Sequence, residues 1–330
     1  MPLSHPDPAK AAEFLLARGS LPVLYWFKKD VLAVPVEREG KNLEKYVGRI
    51  RVLESQAGDG SWIGPSSRFR RGEDKTDRLI ETLKNLFRLH DFGCTNEEPV
   101  VRKAISFLFA CQTREGDFRA ASINEYTPGF HALTLEIFCR YGLDADPRVQ
   151  KGFRWILHHR QKDKGWAIPC RTLSPREAEK RVRAESAGKV GPLQSNISKP
   201  SSHFITGLAL RALAESPTWR TSPEFRAVAD LLVRRFFQDD RYEDRRDASH
   251  WEELSYPFWS TNILSVLDAL ATAGATGKKP QVQAALDWLI GRQGPSGCWE
   301  VRSRKAVFED HLWVTYAVLR VLKRFGLVSF

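Results

Sequence analysis

The sequence predicts an all-α protein, a closed ring of about six helical hairpins with polar outer and apolar inner helices. Three observations carry this. A phrase of the form Gln-x-x-x-Gly-x-aromatic recurs along the chain, at Gln56 to Trp62, Gln112 to Phe118 and Gln293 to Trp299, with a shortened copy from Gln161 to Trp166 and a degenerate one from Gln238 to Tyr242. Each phrase is preceded by an amphipathic segment and followed by a polar loop and a more apolar helical segment. No stretch of alternating Val, Ile and Thr is long enough to build a sheet.

In chain order, Pro8 to Leu16 and Leu21 to Leu32 supply a first helix pair. The outer segments Val100 to Cys111, Pro147 to His159 and Pro280 to Gly291 are amphipathic, and several begin with proline, which suits a first helical turn whose amide would be unpaired anyway. The inner segments are Asp77 to His90, Phe130 to Tyr141, Ser202 to Glu215, Phe258 to Ala273 and His311 to Phe325. Asp146 reads as the cap of the helix opening at Pro147. One stretch breaks the period: residues 171–199 form a basic insertion with seven Lys or Arg against three Glu, and contain a short helix from Pro175 to Ser186. The whole chain, 1–330, reads as a single domain around it.

Composition narrows the function classes. With 330 residues, 42% of them hydrophobic, and a mean hydropathy of −0.39, the chain can bury a sizeable core and is neither disordered nor membrane-embedded. No apolar run approaches a membrane span, and the first residues lack a signal-peptide core, so the chain reads as cytoplasmic. Cys94, Cys111, Cys139, Cys170 and Cys298 are odd in number and form no CxxC pair, which argues against a disulfide framework and a thiolate zinc knuckle. The formal charge of +11 favours anionic partners: nucleic acid, acidic headgroups or phosphorylated small molecules.

The repeated phrase resembles the QW repeat of the terpenoid cyclase and protein prenyltransferase α/α-toroid superfamily, over most of the chain from Asn42 to Phe325. The resemblance implies an (α/α)6 toroid in which Gln56, Trp62, Gln161, Trp166, Gln293 and Trp299 are structural ties, and in which the loops after the phrases rim one mouth of a central cavity. Those loops carry Arg68, Arg70, Arg71, Arg119, Arg171, Arg245, Arg246, Arg302, Arg304 and Lys305, a cationic ring suited to phosphate oxygens. The inner helices open with Phe130 and His131, His203 and Phe204, Phe258 and Trp259, and His311 followed by Trp313 and Tyr316. Their aromatic faces suit a hydrocarbon chain or a carbocation.

The function implied is binding of an isoprenoid, prenyl-diphosphate-like amphiphile, with prenyl transfer or cyclisation as the chemistry. Arg245, Arg246, Arg302 and Lys305 would hold the head, and His131, His203, Phe258, Trp259, Trp313 and Tyr316 the remainder. Asp310, Glu253 and His311 are the candidate catalytic groups at the mouth. The DxDD acid segment of the squalene-cyclase branch is absent. In the prenyltransferase branch, zinc is held by an Asp-x-Cys pair and a His. Here Glu253, Ser255 and His311 occupy those places, which leaves Glu253 and His311 as candidate ligands for zinc or magnesium without a thiolate. Two alternatives stand beside this one. A non-catalytic basic scaffold would bind nucleic acid or a partner protein through its rim and the 171–199 insertion. A glycan-processing barrel would need two facing carboxylates, with Glu253 and Asp77 as candidates.

Overall fold

The computed structural model of the chain describes residues 7–64, 75–119, 124–188, 190–242 and 247–330. Among them there are helices and two isolated bridges, and no strand. Arg68, Arg70, Arg71, Arg245 and Arg246 lie outside the described residues.

Six inner helical segments form the ring: α2 (Leu21–Trp26), continued by a π-helical turn (Phe27–Leu32), α5 (Lys75–Asp91), α7 (Pro128–Arg140), α10 (His203–Glu215), α12 (Ile263–Thr272) and α14 (Phe308–Arg324). Outside them lie α1 (Pro8–Arg18), the short pair α3 (Glu37–Glu44) and α4 (Val47–Glu54), α6 (Pro99–Ala110), α8 (Pro147–His158), α11 (Pro223–Val233) and α13 (Pro280–Ile290). Helix α9 (Pro175–Ser186) belongs to the insertion and starts with a capping box between Ser174 and Glu177. Neighbouring inner helices pack in the order α5, α7, α10, α12, α14 and α2. The ring closes where the Trp26 indole donates to the Asp91 carbonyl at 2.8 Å and stacks on His90.

The burial pattern separates the two layers. Eleven residues of α10 and eleven of α7 are buried, whereas α8 and α13 bury one stripe each. An apolar helix needs protein on all sides, so it takes the inner ring, and an amphipathic helix takes the outside.

The repeated phrase supplies the joints. Three glutamine amides reach the start of the next outer helix: Gln56 Nε2 donates to Val100 O at 2.8 Å, Gln112 to Arg148 O at 2.9 Å and Gln293 to Asp7 O at 2.8 Å, whereas Gln161 Nε2 donates to the carbonyls of Asn196 and Lys199 at the end of the insertion. Each indole N–H satisfies a carbonyl near the C-terminal end of its own outer helix, Trp62 to Val52, Trp166 to Ile156 and Trp299 to Leu289, all at 2.7–2.9 Å. The aromatic's backbone N–H is then received by an inner helix, at Thr82, Thr206 or Thr315 Oγ1, or at His131 Nδ1 for Phe118. Gly60 and Gly297 adopt φ of 89° and 91°, and a Cβ there would meet the backbone of Lys103 or Lys10 under 3 Å away. In the shortened copy Lys164 takes the left-handed conformation instead.

Two boundaries differ from the sequence reading. Helix α12 begins at Ile263, because Asn262 forms a capping box with Ser265, which leaves Phe258 and Trp259 in the preceding loop. Helix α14 begins at Phe308, one turn before His311. In the degenerate repeat the indole role falls to Trp251, which is fully buried and donates to Gln238 O at 3.0 Å.

Candidate binding cavity

The ring is not evenly filled. On the side of α12, α14 and α2, its interior is occupied: Tyr256 stacks on Trp313 at 5.1 Å, Tyr316 donates to Asp30 Oδ2 at 2.6 Å, and Arg320 pairs with Asp268 at 2.9 Å. On the side of α5, α7 and α10, at the N-terminal ends of α7 and α10, lies a cavity of about 330 Å³. Ile80 and Leu83 come from α5, Phe130 and Leu133 from α7, and Phe204, Ile205 and Leu208 from α10. Ile168 and Pro169 add one rim, and Trp259, from the loop before α12, adds another. Twelve of the sixteen lining residues are apolar, so the space favours hydrocarbon over water.

Four polar residues complete the lining, Lys84, Glu125, Tyr126 and Thr127. Lys84 Nζ is held by Glu81 Oε1 at 2.7 Å. The Tyr126 hydroxyl donates to Glu115 Oε2 at 2.5 Å, and the Arg119 guanidinium, which pairs with Asp117, lies over its ring. Burial raises the Glu125 carboxyl above the usual carboxylate range, against hydrogen bonds from Cys170 that favour the ionised form. Thr127 Oγ1 is buried and has no hydrogen-bond partner.

The insertion is built into this mouth. Tyr126 N donates to Leu193 O and Leu193 N to Asn124 O, at 2.9 and 2.8 Å. Arg181 donates to the carbonyls of Asn124 and Gly191, and Asn196 N donates to Thr172 Oγ1. The segment carrying Glu125 and Thr127 is therefore braced from outside by residues of the 171–199 stretch.

Below the cavity Leu133 and Trp259 are shared with a small recess lined also by Glu136, Arg140, Arg211 and Phe258. Glu136 is fully buried and pairs with Arg140 at 2.8 Å and Arg211 at 2.5 Å, and Arg211 also donates to Phe258 O.

The structure separates the residues that the sequence grouped. Phe130, Phe204 and Trp259 line the cavity, but the adjacent histidines do not. His131 accepts from Phe118 N and donates through Nε2 to Gly152 O at 2.9 Å, and burial pushes its pKa down to about 4. His203 lies against His250 and Trp251, and burial, with Arg235 and His250 nearby, pushes it down to about 3. Successive helical residues point about 100° apart, so a His-Phe pair cannot send both side chains inward.

Trp313 and Tyr316, expected on the cavity wall, lie in the occupied half instead. His311 Nδ1 accepts from Val301 N at 2.9 Å, and Asp310 caps its own helix through Val307 N at 2.8 Å. Arg302 lines a separate recess with Glu252, Trp288 and Arg292, and Lys305 is exposed. The backbone carbonyl of Glu253 and the hydroxyl of Ser255 are both bound by Asn262 Nδ2. Among the described residues no group of three or more His, Cys, Asp or Glu is placed to hold a metal. Glu125, Thr127 and Lys84 were not anticipated. The signal available was the polar run directly before Pro128, at the entrance of an inner helix.

Fold and cavity together define a six-hairpin α/α toroid with an off-centre apolar chamber. No protein-family model and no curated protein matches the chain. Solved structures that align with it include a protein from Actinoplanes, 15% identical, covering 87% of this chain and 99% of that one at a TM-score of 0.30. They also include the type II terpene cyclase MstE from Scytonema, 13% identical, covering 88% and 99% at 0.31, and a glycosidase, 14% identical, covering 88% and 99% at 0.29. No described helix is long and apolar enough to cross a membrane.

Proposed function

We propose that the protein binds an extended, isoprenoid-like hydrocarbon in the cavity between α5, α7 and α10. The observation that carries this reading is a chamber of about 330 Å³ with twelve apolar lining residues at the mouth of the ring. That volume falls within the range of small-molecule sites, and each methylene moved from water into such a wall gains about 0.8 kcal/mol. Phe130, Phe204 and Trp259 offer aromatic faces to the chain, and Trp259, about one-third exposed, stands where the chain would enter.

A glycan-processing role is less well supported. Among the described residues the cavity lining carries one carboxylate, Glu125, and the next below it, Glu136, is committed to two arginines. Glycoside hydrolysis needs two carboxylates flanking one bond.

The test is native mass spectrometry and titration calorimetry with geranylgeraniol, on the parent chain and on Leu208→Trp, which fills the chamber from α10. The parent chain is expected to bind, and the variant to lose about tenfold or more in affinity while melting near the parent temperature. Equal binding by both would place the ligand elsewhere, and no binding by the parent would refute the reading.

A further inference from the structure

Resting on that reading, we infer that residues 174–188 and 190–193 form a strap that gates the chamber, latched by Arg181, and that the ligand enters and leaves when this latch lets go.

The strap is held firmly at both feet and lightly between them. At the first foot Thr172 is buried, donates to Pro169 O at 2.6 Å and accepts from Asn196 N at 2.9 Å. At the second, Gln161 Nε2 donates to the carbonyls of Asn196 and Lys199, and Ser195 Oγ donates to Ala167 O. Between the feet lies α9, which buries none of its twelve residues, so apolar burial does little to fix it to the ring. Gly188 follows α9 in the left-handed conformation, and a Cβ on Gly188 or Gly191 would meet nothing within 4 Å. Two unconfined glycines so close together make a hinge.

Among the described residues, the hydrogen bonds from the strap to the ring all fall on Asn124 and Tyr126. Leu193 bonds to the backbone of both, and Asn124 Nδ2 donates to Val190 O at 3.1 Å. Arg181 donates to Asn124 O at 3.0 Å and to Gly191 O at 2.7 Å, and pairs with Glu185 at 2.7 Å. One guanidinium therefore ties helix, strap and ring together, with charged donors that bind more strongly than the neutral amides beside them.

What the strap holds in place is the chamber wall. Glu125, Tyr126 and Thr127 line the cavity, as do Ile168 and Pro169 beside the first foot. Without Arg181, three neutral hydrogen bonds keep strap and wall together. A segment with few buried contacts and few bonds opens at a small part of the cost of global unfolding. Its release widens the mouth between this rim and Trp259.

The experiment compares the parent with Arg181→Ala by stopped-flow tryptophan fluorescence with geranylgeraniol, for which Trp259 in the lining supplies a signal. A gate speeds entry and exit by one factor and leaves affinity where it was, whereas damage to the wall weakens affinity. Both rate constants should rise about tenfold, the worth of a charged hydrogen bond, while Kd changes by less than about twofold. Amide exchange reads the same latch without a ligand: in the variant the Tyr126 and Leu193 amides should exchange about tenfold faster while α7 and α10 stay protected. Binding at unchanged rates, a loss of affinity through the exit rate alone, or unchanged exchange at Tyr126 and Leu193 overturns the gate and leaves the cavity reading standing. No binding by the parent overturns the cavity reading and the gate with it, which keeps the two failures apart.

Discussion

Replacing Glu136 by glutamine removes the only carboxylate paired with Arg211 among the described residues, and one of two paired with Arg140. The site is dry: the Glu136 side chain is 0% exposed and that of Arg211 4%. Removing one partner from a buried ion pair leaves a charge with neither water nor a counter-ion and costs about 3–5 kcal/mol. For a chain of this length the unfolding entropy corresponds to about 0.7 kcal/mol per degree, so Glu136→Gln should lower the melting temperature by about 4–7 °C. Circular dichroism at 222 nm, followed through thermal unfolding at neutral pH, reads this directly. The triple replacement Glu136→Leu, Arg140→Met and Arg211→Met, which removes all three charges and keeps the volume, should recover most of the loss. A single variant that melts within one degree of the parent would refute the assignment of a desolvated charge cluster below the cavity.

Two further outcomes follow from the joints. The folded-state pKa of His131 lies at about 4, below the 6.5 of a free imidazole, so the folded chain takes up this proton less readily than the unfolded one. Stability is therefore fully present above pH 6.5 and lost as the pH falls towards 4, by about 3 kcal/mol from this group. His131→Gln, which can accept from Phe118 and donate to Gly152, should flatten that part of a denaturation profile measured from pH 7 to 4. Gln293→Ala removes both hydrogen bonds to Asp7, at 2.8 Å each. Amide exchange in α1 should speed up about tenfold or more while α7 and α10 stay protected, and unchanged exchange in α1 would refute the tie.

The ring was legible because its joints repeat in the sequence. A glutamine, a glycine and an aromatic at one spacing follow the outer helices α4, α6 and α13, with a shortened copy after α8, and each does one local task that can be inferred from a short window. The cavity was legible only in part. Which member of a pair such as His131 and Phe130 faces inward depends on helix register, and a stagger of one residue exchanges them. The placement of Trp313 and Tyr316 depends on Asp30, Asp268 and Arg320, three residues far apart in the chain that fill the ring from one side. Glu125 and Thr127 lie in a loop, where no periodicity marks orientation, and their surroundings are set in part by Leu193 and Cys170 of a segment distant in sequence.

The bond between Gln293 and Asp7 bears on how the molecule comes apart. In an open stack of repeats the end units have one neighbour each, so they fray first and the array unravels from its tips. Here α13 meets α1 through the same glutamine contact that joins α4 to α6 and α6 to α8, so the first outer helix is tied to the last. A ring joined in this way lacks a weakest end. Loosening any one hairpin disturbs two interfaces at once, which couples the units and favours loss of the whole circle in one step over a gradual unwinding.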